Sequence, residues 1–249
     1  MYRFFVPLDQ IGEKEAYIVG DDVNHIQNVL RMEKGETLVL SNGRGKDFVC
    51  EIREFTDDRV CLNIQEIQDA ISELPGKITL FQALPKGDKM EFIIQKAVEL
   101  GAYEIVPVRT KRCVVKLDEK KAAKKQERWQ TIATAAAKQS GRGIVPKVHC
   151  VVNMKEALDM ALGLEGAVIP YELCEDMRES VTELRKMGGL ASVGVFIGPE
   201  GGFERGEIED AMNKGIRPIS LGKRILRTET AGMTTLSVLM FEMEARSQR

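Results

Sequence analysis

The spacing of apolar residues changes once along this chain. In "GETLVLSNGRGKDFVCEIREFTDDRVCLNIQEI" (35–67), three short runs rich in Val, Ile, Leu and Phe are separated by "SNGRG" and "TDDR". Phe48, Cys50 and Ile52 alternate with polar residues, the period of a half-buried strand, and the separators are turn-forming. Ahead of them "DDVNHIQNVLRMEKG" (21–35) predicts a short helix, capped by Asp21 or Asp22 and closed by Gly35. Residues 1–72 therefore read as a small β-barrel-like module with one helix. The polar stretch "QDAISELPGK" (68–77) marks the boundary.

From residue 78 strands and helices alternate. "KITLFQAL" (77–84), "YEIVPVRT" (103–110), "GAVIPYE" (166–172), "ASVGVFIG" (191–198) and "IRPISLG" (216–222) read as strands. Between them lie "DKMEFIIQKAVELG" (88–101), with Phe92, Ile93, Ala97 and Leu100 as its inward stripe, and a long helix, "KKAAKKQERWQTIATAAAKQSG" (120–141). "VTELRKMGG" (181–189), "ERGEIEDAMNKG" (204–215) and "TAGMTTLSVLMFEMEAR" (230–246) are helical too. This order predicts an α/β domain over 73–249, its mostly parallel sheet covered on both faces. In the last helix Leu236, Leu239, Met240 and Met243 form a stripe that suits a core or a subunit interface, and Gly232 suits a close backbone approach.

Composition narrows the chemistry. No apolar stretch approaches the roughly 20 residues of a membrane span, and the first residues do not read as a signal peptide. Five cysteines, odd in number and without C-x-x-C spacing, fit free thiols in a reducing cytoplasm. Only His25 and His149 are present, too few for the usual zinc sites or a Ser-His-Asp triad, so no metal is expected. The net charge is −2, yet residues 109–147 hold twelve Lys or Arg against Asp118, Glu119 and Glu127. Such a run suits a solvated helix face or a surface for RNA.

Two glycine-bearing exits follow strands: "IGPEGGF" (197–203) and "LGKRILRTETA" (221–231). In an open parallel sheet, ligands sit beyond the carboxyl ends of the strands. Glycine lets a backbone approach a ligand, Pro199 stiffens the first turn, and Ile197, Leu221, Ile225 and Leu226 can sandwich a flat ring. Ordinary strand-to-helix turns would look similar. Neither exit has the spacing of a dinucleotide fingerprint or a phosphate loop.

These residues carry a resemblance. "IGPEGGFERGEIE" (197–209) followed by "LGKRILRTETA" resembles the RsmE family of bacterial small-subunit ribosomal RNA uridine-N3 methyltransferases. "HIQNVLRMEKGE" (25–36), "PKGDKMEFIIQKAVELGAYEIVPV" (85–108) and "KQSGRGIVPKV" (138–148) extend it over nearly the whole chain. One departure is Lys138, where the family more usually has an acidic residue. The resemblance implies a SPOUT-type α/β domain (73–249) with a C-terminal trefoil knot, a PUA-like RNA-binding domain (1–72), S-adenosyl-L-methionine as methyl donor, 16S rRNA as substrate, and a cytoplasmic homodimer. A non-enzymatic RNA-binding or ribosome-assembly protein of the same fold, or a SPOUT enzyme with another RNA target, is the rival reading.

Under this resemblance the donor pocket is Ile197, Gly198, Pro199, Glu200, Gly201, Leu221, Gly222, Ile225, Leu226 and Arg227, with a third loop around "IPYELCE" (169–175). Methylation at uracil N3 needs removal of a proton or stabilisation of the resulting anion. Arg142 and Arg227 are the cation candidates; Glu229, with Glu200 behind it, is the candidate base, though either glutamate could cap a helix instead. Phosphate contacts are expected from Arg3, Arg31, Arg44, Lys46, Lys86, Arg109, Lys111, Arg112 and Arg142.

Overall fold

The computed structural model describes residues 1–115, 117–174 and 176–247. The chain forms two compact units: Met1–Glu73 with Ala137–Val145, and Leu74–Ala136 with Pro146–Arg249. The expected N-terminal module therefore gains a segment from far along the chain.

In the first unit β1 (Arg3–Phe5), β2 (Glu15–Val19), β3 (Thr37–Ser41), β4 (Lys46–Phe55) and β5 (Arg59–Asp69) form a sheet in the order β1-β3-β4-β5-β2. The β1–β3 pair is parallel and the others antiparallel. The alternation at Phe48, Cys50 and Ile52 puts all three in one core with Leu38, Leu40, Val60 and Leu62. The expected helix is present but short: α1 (Asp21–Asn24) runs into a wider, π-type turn over His25–Val29. Strands β1 and β2 escape the sequence pattern because they are short edge strands, held by neighbours distant in sequence.

Residues 137–145 are tied into this unit by polar contacts. The Arg142 guanidinium grips the Glu73 carboxylate (Nε–Oε1 2.9 Å, Nη2–Oε2 2.6 Å), and Glu73 also accepts the Gly143 and Ile144 N–H groups. Arg142 is 3% exposed. Beside it Arg3 pairs with the fully buried Asp47.

The second unit holds β6 (Lys77–Ala83), α2 (Lys89–Glu99), β7 (Ala102–Arg109), α3 (Glu119–Gln139), β8 (Lys147–Val148), β9 (Val152–Asn153), α4 (Met154–Ala161), β10 (Gly166–Pro170), α5 (Met177–Met187), β11 (Ser192–Ile197), α6 (Arg205–Asn213), β12 (Arg217–Ile219) and α7 (Thr228–Ser247). Its seven strands are all parallel, ordered β12-β10-β11-β6-β7-β8, with β9 also on β7. Phe81 and Phe196 stack across β6 and β11 at 4.3 Å and join a core formed with α4 and α6. Helix α7 packs on the sheet's other face, where Gly232 approaches Gln82 and Ile197.

Three helical details depart from the pattern. The buried stripe of α2 is Met90, Ile93, Ile94, Ala97 and Val98, whereas Phe92 is 44% exposed, because α2 packs against α7 as well as β7. In α7, Leu236, Leu239 and Met243 are core, while Val238 and Phe241 face outward. A Cβ on Gly232 would meet Gln82 Oε1 at 3.7 Å and Ile197 at 3.8 Å. That is ordinary contact, so close approach does not demand a glycine there.

Removing one member of a buried ion pair strands the other charge. Glu73→Ala is expected to destabilise the protein by about 3–5 kcal/mol, measured by urea unfolding. Glu73→Leu combined with Arg142→Met should recover only part of that loss, because the Gly143 and Ile144 N–H groups stay without their acceptor; a double variant as unstable as the single one would show that the ion pair is not what Glu73 supplies.

Candidate methyl-donor site

The strand order places the carboxyl ends of β12, β10, β11 and β6 side by side. The loops leaving three of them surround a cleft of about 850 Å³: Pro170–Glu172 after β10, Ile197–Glu200 after β11, and Ser220–Arg227 after β12. Of the sequence candidates, Ile197, Gly198, Pro199, Glu200, Leu221, Gly222, Ile225, Leu226 and Arg227 line it. Gly201 does not; its carbonyl accepts a hydrogen bond from Arg112 Nη1 (2.9 Å). Glu175, the last residue of the expected third loop, lies outside the described residues.

Buried hydroxyls fix these loops. Thr228, at the start of α7, donates through Oγ1 to the Gly198 carbonyl (2.6 Å) and accepts from Gln82 Nε2 (2.9 Å). Ser180 of α5 holds the Ser220 N–H at 2.8 Å, and Ser220 Oγ accepts the Gly222 N–H. Glu207, 4% exposed, accepts the N–H groups of Glu204 and Lys111.

The glycines serve different ends. At Gly198 a Cβ would press on the Phe203 ring at 3.2 Å, so a side chain there would need the ring to give by a few tenths of an ångström. Gly202 (φ +67°) and Gly222 (φ +100°) lie in the left-handed region that other residues avoid. A Cβ on Gly222 would meet nothing within 4 Å. Its backbone is therefore unshielded beside the cleft.

A charged cluster stands on one wall. Lys89 Nζ lies 3.0 Å from Glu200 Oε1 and 3.5 Å from Glu229 Oε2. Burial alone would raise the Glu200 carboxyl, but its hydrogen bonds to its own backbone, to Lys89 and to the Lys86 N–H outweigh that and hold it below the usual carboxylate range. Lys89 is pushed up, chiefly by its hydrogen bond to Glu200, so both are charged at neutral pH. Glu229 Oε2 is buried and, like Gln82 Oε1, has no hydrogen-bond partner among the described residues.

Arg227 is exposed at the cleft and has no ion pair among the described residues. Arg142 lies in the other unit with its guanidinium on Glu73. Of the phosphate candidates, Arg31, Arg44, Lys46, Lys86, Arg109, Lys111 and Arg112 are exposed; Arg3 is bound to Asp47, Lys46 to Asp69 and Lys111 to Glu204. The sequence does not single out Lys89 or Thr228, although both lie in stretches that carry the family resemblance. Lys89 depends on Glu200, 111 residues away, and Thr228 on Gln82, 146 residues away.

Comparison with known proteins agrees with this architecture. Residues 72–240 match the RNA methyltransferase domain, and residues 18–65 match the RNA methyltransferase PUA domain. The ribosomal RNA small subunit methyltransferase E of Bacillus subtilis is 38% identical, with 98% of each chain covered, and that of Aquifex aeolicus is 31% identical over 88% of this chain and 91% of its own. The crystal structure of the Neisseria gonorrhoeae methyltransferase E bound to S-adenosyl methionine superposes with a TM-score of 0.78 at 33% identity, covering 97% of both chains. A putative Legionella pneumophila methyltransferase, in complex with the same cofactor, gives 0.76 at 36% identity over 96% of both. This chain belongs to the ribosomal RNA small subunit methyltransferase E family of RNA methyltransferases.

Proposed function

We propose that this protein methylates N3 of a specific uridine in 16S rRNA, taking the methyl group from S-adenosyl-L-methionine. The observation that carries the reading is the cleft: three loops at adjacent carboxyl ends of parallel strands, one with its backbone unshielded at Gly222. S-adenosylmethionine supplies an electrophilic methyl group when bound. Ile197, Leu221, Ile225 and Leu226 offer apolar surface for its adenine, and the backbone of the 221–227 loop offers groups for its polar edge. Glu229 Oε2 is paired with Lys89 at 3.5 Å and makes no hydrogen bond among the described residues.

Uracil N3–H carries its proton at neutral pH. Glu229 accepts that proton as the base, and Arg227 stabilises the developing charge on a uracil oxygen. Lys89, which lines the cleft, connects it to Glu229 behind the wall, and Glu200 anchors Lys89 and the Lys86 backbone. Arg142 acts at a remove, fastening residues 137–145 through Glu73.

In this reading residues 73–249 are a SPOUT domain whose last strand and helix complete a trefoil knot, and residues 1–72 are a PUA-like module that grips RNA, with 137–145 packed into it. Arg31, Arg44, Lys86, Arg109 and Arg112, all exposed, supply phosphate contacts with Lys46 and Lys111. The protein works in the cytoplasm as a homodimer. Phe92 and Val238 (44% and 38% exposed) and Phe241 (69%) lie on the packed pair α2 and α7 and offer the apolar face for pairing.

Calorimetry is expected to show S-adenosylmethionine binding, weakened at least tenfold by Gly222→Val, whose branched side chain is strained at φ +100°; equal affinity would misplace the site. Glu229→Gln should leave donor affinity within threefold and cut turnover by about 10²–10⁴-fold, followed by mass mapping of methylated 16S rRNA. Unchanged turnover would remove Glu229 as base, and methylation of another RNA would replace the substrate. Phe241→Glu should convert a species of twice the chain mass to one of single mass in sedimentation; a wild-type protein already at single mass would remove the dimer.

A further inference from the structure

Where β7 ends, the chain makes a tight turn beside the donor cleft. The turn 110–113 is closed by the Cys113 N–H on the Thr110 carbonyl (3.2 Å) and seated by Thr110, which is 5% exposed. In the parallel sheet β7 lies next to β6, and β6 next to β11, so this turn leaves the same rim as the loop after β11. Three contacts lace the turn to that loop and to the start of α6. The Lys111 N–H donates to Glu207 Oε1 (2.9 Å), Lys111 Nζ pairs with Glu204 Oε2 (2.6 Å), and Arg112 Nη1 donates to the Gly201 carbonyl (2.9 Å).

The third contact differs from the other two. Gly201 sits between Glu200 and Gly202, and both of these line the cleft. The stem of Arg112 lies against Gly201: its Cβ and Cδ are 3.5 and 3.7 Å from where a Gly201 Cβ would stand. Yet Arg112 is exposed, and its guanidinium makes no other hydrogen bond and no ion pair among the described residues. The Glu204 carboxylate beside it is taken up by Lys111, whose hydrogen bond is the main cause that holds it below the usual carboxylate range. A guanidinium carries five N–H donors in a planar fork, so one on the carbonyl leaves four for a second partner. That fork matches a phosphate, and Arg109 and Lys111, exposed on the same strand end, add positive charge around it.

We propose that Arg112 couples the two substrates: it takes an RNA phosphate on the rest of its fork while Nη1 holds the Gly201 carbonyl, so that bound RNA steadies the donor loop. This rests on the RNA methyltransferase reading above and makes Arg112 a positioning residue as well as a phosphate contact. A single exposed hydrogen bond competes with water and holds the loop only weakly. A phosphate on the other donors immobilises the same side chain. The donor, arriving second, then finds the loop already fastened and loses less freedom in ordering it. Linkage makes the effect reciprocal: whatever factor RNA adds to donor affinity, the donor adds to RNA affinity.

S-adenosylhomocysteine, the donor without its methyl group, separates binding from turnover. Its affinity is measured by equilibrium dialysis with and without saturating small ribosomal subunits that carry unmethylated 16S rRNA, and subunit affinity with and without it. In the wild type each should tighten the other by one common factor, about three- to tenfold. Arg112→Ala, checked for folding by circular dichroism, should bring that factor to about one and raise KM for the donor and KM for RNA together, by more than kcat falls. Arg112→Lys should recover most of the subunit affinity without the coupling, because an ammonium lacks the planar fork. Arg109→Ala, at the same strand end, should weaken subunit binding and keep the factor. A wild-type factor of one, or an undiminished factor in Arg112→Ala, overturns the proposal and leaves the methyltransferase reading standing. If the wild-type protein neither binds S-adenosylhomocysteine nor methylates 16S rRNA, that reading fails, and the coupling with it.

Discussion

One buried hydroxyl organises the C-terminal unit. Thr228 Oγ1 accepts from Gln82 at the end of β6 and donates to the Gly198 carbonyl after β11, so a single side chain joins two strands' exits to the start of α7. All three residues come from separate parts of the chain. Because Gln82 is wholly buried and Thr228 5% exposed, neither group has water as an alternative partner, and each lost bond would leave an unsatisfied polar atom. The "GPEGG" loop can therefore use glycine freely: its conformation is held from outside by the helix cap, and from within by the Phe203 ring against Gly198.

The charges are placed with the same economy. Glu200 binds the Lys86 backbone and the Lys89 ammonium, and Lys89 reaches on to Glu229. Lys89 Nζ thus lies between two carboxylates, and Glu229 Oε2 makes no hydrogen bond among the described residues. In the N-terminal unit a comparable logic applies to Glu73, whose carboxylate satisfies a buried guanidinium and two backbone N–H groups at once.

Alternating strand and helix patterns and the two glycine-bearing exits were legible in the sequence, because periodicity and turn chemistry act over a few residues. So was the family resemblance, since its motifs are contiguous. Other features were not. Strands β1, β2, β8 and β9 are too short or too marginal to leave a period, and exist because neighbours supply their hydrogen bonds. The stripe of α2 turned away from Phe92 because α7 packs on it as well as the sheet. From sequence Arg142 was a candidate catalytic cation or phosphate contact, and only the fold brought Glu73 to it across 69 residues. What the sequence by itself determined was local: which stretches form strands, helices and glycine turns, and which residue types the loops carry. Which of those loops meet, which charges are neutralised and which carboxylate oxygen is left without a hydrogen bond were decided by tertiary structure, because each depends on distances between residues that the chain order holds far apart.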